Sequence, residues 1–132
     1  MTNTGLYELT NQDSVTVGID YEPLTFDEYQ DLALDSAIYD EKFRILYPAL
    51  KLAGEAGEVA EKVGKRLRDH DGDLDDGKFT EDLAKELGDV LWYISALAAD
   101  MGYSLAEIGD MNLAKLASRA QRGVLSGLGD NR

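Results

Sequence analysis

Apolar residues recur at helical spacing over two long stretches, and this periodicity narrows the possible architectures more than any other feature of the chain. With Ala56 at the centre of a helical wheel, Ala49, Leu52, Ala53, Val59, Ala60, Val63 and Leu67 fall within about 60° of it. A second stripe runs through Leu83, Ala84, Leu87, Val90, Leu91, Ile94 and Ala98. The first predicts a helix from Pro48, whose missing amide donor is harmless in a first turn, to about Arg68. The second predicts a helix capped by Thr80 and ended by Met101-Gly102. Two capping boxes add shorter helices: Thr25-Phe26-Asp27-Glu28 opens one reaching about Ala37, and Ser104-Leu105-Ala106-Glu107 opens one reaching about Gln121. The expected fold is therefore all-α, a bundle of four main helices. Residues 1–24 read as a polar lead-in, with a brief alternation at Ser14 to Ile19 that suits a short strand or an arm. Residues 25–122 read as the helical domain and 123–132 as a glycine-rich tail.

The two long helices share a repeat. Glu55-Ala56-Gly57-Glu58-Val59-Ala60 matches Glu86-Leu87-Gly88-Asp89-Val90-Leu91 position by position, 31 residues later. On each wheel the first acid lies about 100° from the centre of the apolar stripe and the second about 160°, on the same side. If the helices form an antiparallel hairpin, the pairs converge on one cleft, beside which Gly57 and Gly88 remove bulk. Four carboxylates without histidine or cysteine form a hard oxygen site suited to Mg2+, or to Mn2+, rather than zinc. The competing reading of such acids is a solvated helix face.

Charge and composition exclude several classes. The 26 Asp and Glu against 13 Lys and Arg, a net charge of −13, repel nucleic-acid backbones and anionic membranes, so neither polymeric nucleic acid nor a membrane is an expected partner. A metal-bridged nucleotide escapes this exclusion, because a bound divalent cation reverses the local field. The absence of cysteine removes disulfides, thiolate metal sites and thiol nucleophiles. No leader-like segment and no stretch near roughly 18 apolar residues is present, so the chain reads as cytoplasmic. At 132 residues a single core is modest, which favours a dimer or a dimer of dimers. Trp92 lies about 140° from the apolar centre of its helix and needs a partner elsewhere, with a subunit interface as the first reading, wider core packing the second and stacking against a nucleobase the third. Asp71, Asp73, Asp75 and Asp82 lack the glycine that a calcium loop requires, and His70 has no serine or cysteine partner, so both read as surface features.

The segment Leu46 to Ala60, together with Glu86 to Ile94, resembles the MazG-like all-alpha nucleoside triphosphate pyrophosphohydrolases, whose signature pairs Glu-x-x-Glu on one helix with Glu-x-x-Asp on the next. The family signature usually opens with two adjacent glutamates. Gly54 stands at the earlier position, so Glu55, Glu58, Glu86 and Asp89 alone are carried over. Asn112-x-x-Lys115-Leu116-x-x-Arg119 is similar to the family's phosphate-contacting stretch, and Gly127 to Arg132 is similar to endings of relatives. The resemblance implies that the four acids hold Mg2+ and carry catalysis, and that Asn112, Lys115 and Arg119 bind substrate phosphates. The implied reaction splits a nucleoside or deoxynucleoside triphosphate into monophosphate and pyrophosphate, in nucleotide-pool control or house-cleaning, by a homodimer or homotetramer. The alternatives are the related phosphoribosyl-ATP pyrophosphohydrolase activity and a non-catalytic helical module that binds nucleotide or protein.

Overall fold

The computed structural model describes residues 23–71, 73–74 and 76–124. The Ser14 to Ile19 alternation and the tail from 125 onward lie outside the described residues. The chain forms α1 (Phe26–Leu34), a 3-10 turn at Glu41–Phe43, α2 (Leu46–Asp69), α3 (Gly77–Asp100) and α4 (Leu105–Gln121), with no strand among the described residues. None of these helices is long and apolar enough to cross a membrane.

Local chemistry sets the helix starts. Both capping boxes form: Glu28 N–H donates to Thr25 Oγ1 at 3.2 Å and Thr25 N–H to Glu28 Oε2 at 2.8 Å, with the same exchange between Ser104 and Glu107. α3 starts earlier than expected, because Asp76 and not Thr80 caps it. The Asp76 carboxylate accepts from Lys78 N–H at 2.9 Å and Phe79 N–H at 3.4 Å, and its charge also suits a helix N-terminus. Thr80, already inside the first turn, turns its hydroxyl back to the Gly77 carbonyl. α2 begins at Leu46, and Pro48 still falls in the first turn, where no amide donor is needed.

The entry to α2 is strained. Ile45 has φ 65° and ψ −53°, and Leu46 N–H donates to Arg44 O at 2.7 Å, which makes a γ-turn that a β-branched residue adopts only under constraint. Asp100, at the end of α3, supplies that constraint. Its carboxylate accepts from Ile45 N–H at 3.0 Å, Arg44 Nε at 3.2 Å and Tyr39 OH at 2.9 Å. Burial, and then the bond to Asp100, push the Tyr39 hydroxyl pKa up to about 12. Because the folded value lies above the ordinary one, this contribution to stability is complete below pH 10 and is lost as pH rises toward 12. Denaturant titrations across that window should show stability falling in the native chain and falling less in Tyr39→Phe; identical profiles would remove Tyr39 from the account.

α2 and α3 pack antiparallel. Arg66 lies over the Phe79 ring, Lys62 pairs with Glu86 at 3.0 Å, and the Tyr47 and Tyr93 rings are 6.3 Å apart, so advancing along one helix means receding along the other. The packed face of α2 is not the expected one. Pro48 and Glu55 are buried and Leu52, Val59 and Val63 half-buried, whereas Ala49, Ala53, Ala56, Ala60 and Leu67 are exposed. Burial centres about 70° from Ala56 on the wheel, toward Glu55. The apolar stripe is wider than one neighbouring helix covers, and α3 takes its acidic side.

Gln30 joins the remaining helices. It is 6% exposed; its amide donates to Ser95 O at 3.1 Å and Tyr103 O at 3.2 Å, and its oxygen accepts from Leu105 N–H at 3.0 Å. One α1 side chain thus reaches α3, the turn after it and the first amide of α4, which has no partner within its own helix.

Candidate metal and nucleotide site

The rotation of α2 brings Glu55 to the middle of the α2–α3 contact. There one carboxylate oxygen from each of Glu55, Glu86 and Asp89 lies within 4.8 Å of the others. Glu55 is 9% exposed, Glu86 half-buried and Asp89 exposed. The group therefore sits at the floor and rim of an open groove. Glu58, one turn along α2, is exposed and stands outside this group. A Cβ built on Gly57 or Gly88 would meet no atom within 4 Å, so within a single chain these glycines relieve no crowding.

Two lysines offset the gathered negative charge. Lys51 Nζ lies 3.1 Å from Glu55 and Lys62 Nζ 3.0 Å from Glu86. The contact with Glu55 raises the Lys51 pKa above its ordinary value. Three oxyanions this close repel one another strongly unless cations intervene. Carboxylate oxygens without nitrogen or sulfur donors fit a hard divalent cation such as Mg2+.

Beside the carboxylates opens a cavity of about 880 Å³, lined by Glu55, Asp89, Tyr39, Tyr47, Trp92 and Tyr93 among others. Its aromatic walls are internally braced: Tyr39 stacks on Tyr47 at 5.2 Å and Trp92 meets Tyr93 edge-on at 4.8 Å. Trp92 finds hydrogen-bond partners within the chain. Its indole N–H donates to Ala33 O at 3.0 Å and Ser36 Oγ at 2.9 Å, joining the turn in which the Ser36 N–H and hydroxyl also donate to Ala33 O. α1 also brings Tyr29 toward the site, where burial and then the Asp89 charge raise its pKa. Sequence reasoning raised base stacking for Trp92 alone and missed the tyrosine walls of this cavity; the recurrence of Tyr39, Tyr47, Trp92 and Tyr93 around the acidic repeat was the available signal.

The α4 residues fare differently. Asn112 and Lys115 are exposed, while Arg119 is 6% exposed, so the three do not form one open stripe. α4 packs on α1 and α3.

Carboxylates gathered between two antiparallel helices, next to an aromatic hollow of nucleoside size, define a helical protein with hard-cation donors. The family model for the MazG nucleotide pyrophosphohydrolase domain matches residues 47–124, which takes in both acidic helices and α4. The chain belongs to this family. It is also 46% identical over 112 residues to the Gene 37 protein of Mycobacterium phage L5, an alignment covering 80% of this chain and 97% of that relative. No solved structure matches the chain significantly.

Proposed function

We propose that the protein hydrolyses nucleoside or deoxynucleoside triphosphates to the monophosphate and pyrophosphate, using Mg2+, or Mn2+ in its place, held by Glu55, Glu86 and Asp89. The observation that carries this reading is the meeting of those three carboxylates at the edge of an aromatic cavity, in a chain of the MazG family. Bound there, the cation supplies charge neutralisation to the phosphates. The protein's own groups do the rest. Tyr47, Trp92 and Tyr93 offer aromatic faces to a base, Glu55, Glu86 and Asp89 would hold the cation, and Asn112 and Lys115 are the exposed members of the α4 set. Glu58 lies outside the gathered group but one turn from Glu55, so it is the carboxylate left to accept the proton of the attacking water.

The reading is tested by incubating the protein with canonical and modified triphosphates and with phosphoribosyl-ATP, with Mg2+ or with EDTA. Pyrophosphate release that EDTA stops supports it. Orthophosphate release rejects the bond assigned here, and silence across the panel favours a binding module.

A second copy of the chain completes this reading. Among the described residues the buried apolar core is Ala96, Ala98 and Leu105, whereas Leu50, Leu67 and Leu87 are each more than half exposed. Exposed Ala53, Ala56 and Ala60 lie beside Gly57 on α2, a surface smooth enough for another helix to approach closely. Light scattering should give two or four times the 14.5 kDa chain mass; a monomer at micromolar concentration would contradict this.

A further inference from the structure

The groove has two chemically different ends, and the geometry points to a fixed direction for the substrate: the nucleoside enters the aromatic cavity, and Lys62 receives the terminal phosphates. This rests on the hydrolase reading above and adds the polarity of the substrate and a specificity residue.

Glu55 and Asp89 line the aromatic cavity. Glu86 sits on the far side of the group, paired with Lys62, and Lys62 opens a second cavity of about 280 Å³ shared with Lys65, Arg66, Lys78, Asp76 and Asp82. Along the groove the order is aromatic wall, carboxylates, Lys62, and a hollow of mixed charge. Asp69, Asp76 and Asp82 line that hollow too. Arg66 pairs with Asp76, Lys78 with Asp82 and Lys65 with Glu61, so Lys62 is the cation of this hollow that contacts the acidic group. A triphosphate carries most of its charge at the end away from the base. Tyrosine and tryptophan faces do not offset that charge, while an ammonium does. Lys51 lies beside Tyr93 and Glu55 but does not line the aromatic cavity, whereas Lys62 lines the second hollow. The reverse orientation would leave the terminal phosphates against aromatic rings and the base among lysines.

Lys62 is also placed to change partners. In the structure its ammonium is 3.0 Å from Glu86 and its side chain is about one-third exposed. A cation that takes up the Glu86 carboxylate competes with Lys62 for it, which leaves the ammonium available to a phosphate oxygen. Lys62 therefore opposes metal binding and favours the pyrophosphate moiety. A purely structural ion pair would not act with opposite signs on the two ligands.

Calorimetric titration of the full chain tests this with Mn2+ alone, with magnesium pyrophosphate, and with a nucleoside monophosphate plus Mg2+. Lys62→Gln should bind Mn2+ severalfold tighter, pyrophosphate about tenfold weaker and the monophosphate within about twofold of the native chain. Lys62→Arg should recover pyrophosphate binding. Lys62→Met, which keeps the aliphatic stem, should repeat the Gln result and guards against a folding defect confined to that variant. Equal losses for both products, unchanged pyrophosphate affinity or weakened Mn2+ binding would overturn the assignment. If the native chain binds Mn2+ and hydrolyses triphosphates, any of those results in the Lys62 variants would sink the Lys62 role alone; a native chain that binds neither Mn2+ nor pyrophosphate would sink the hydrolase reading itself.

Discussion

Glu86→Gln and Asp89→Asn are each expected to lower pyrophosphate release about a thousandfold, because each removes a charged oxygen from a site that acts through electrostatics. Both replacements keep the shape of the side chain, so the fold should survive. Their effect on stability runs the other way. The three carboxylates repel one another in the absence of a cation, and the partly exposed Lys62 pair is worth at most about 1 kcal/mol. Without metal, the variants should therefore melt at the same temperature as the native chain or slightly above it. With Mg2+ the native chain should gain stability and the variants should not. Glu58→Gln separates proton transfer from metal holding: a loss of about a hundredfold in turnover with unchanged metal affinity is expected. If Glu58→Gln instead abolished metal binding, Glu58 would join the ligands and its proposed role would be wrong.

The largest effect on stability is expected away from the chemistry, at Gln30. Leucine matches its bulk but makes none of its three hydrogen bonds, and the Ser95 carbonyl, the Tyr103 carbonyl and the Leu105 amide would lose their side-chain partner. Leaving the buried Leu105 amide unpaired costs about 1–3 kcal/mol, whereas Tyr103 is exposed and the Ser95 carbonyl lies within α3. Gln30→Leu should therefore destabilise the chain by about 2–3 kcal/mol and lower its melting temperature by roughly 5–10 °C. Because α1 also holds Trp92 and lies beside Asp89, the variant's substrate affinity should weaken before its fold is lost on warming. A loss below about 1 kcal/mol in denaturant titration would show that water replaces the Gln30 amide without penalty.

What could be read from the sequence divides by distance along the chain. The capping boxes at Thr25 and Ser104 involve partners three residues away and appear as expected. The acidic repeat was legible because both copies sit in one helical frame, and three of its four carboxylates meet. Which side of the α2 stripe is covered was not legible, since that depends on where α3 lies, and the turn of about 70° that buries Glu55 follows from it. Asp76 took the capping role from Thr80 because the choice between neighbouring capping residues depends on how the loop approaches. Gln30 and Asp100 escaped notice for a related reason. Their partners lie 55 to 75 residues away, and neither type of side chain announces a buried role. Ile45 runs against its own propensity, and only the Asp100 contact explains how it is held there.

The most direct test of the central claim is an electron paramagnetic resonance titration of Mn2+ into the native chain and into Asp89→Asn, followed through the signal of the free ion. The account predicts that the native chain depletes free Mn2+ and that adding excess Mg2+ restores it, while Asp89→Asn leaves most of the ion in solution. Equal depletion by both proteins would mean that Glu55, Glu86 and Asp89 do not hold the cation together.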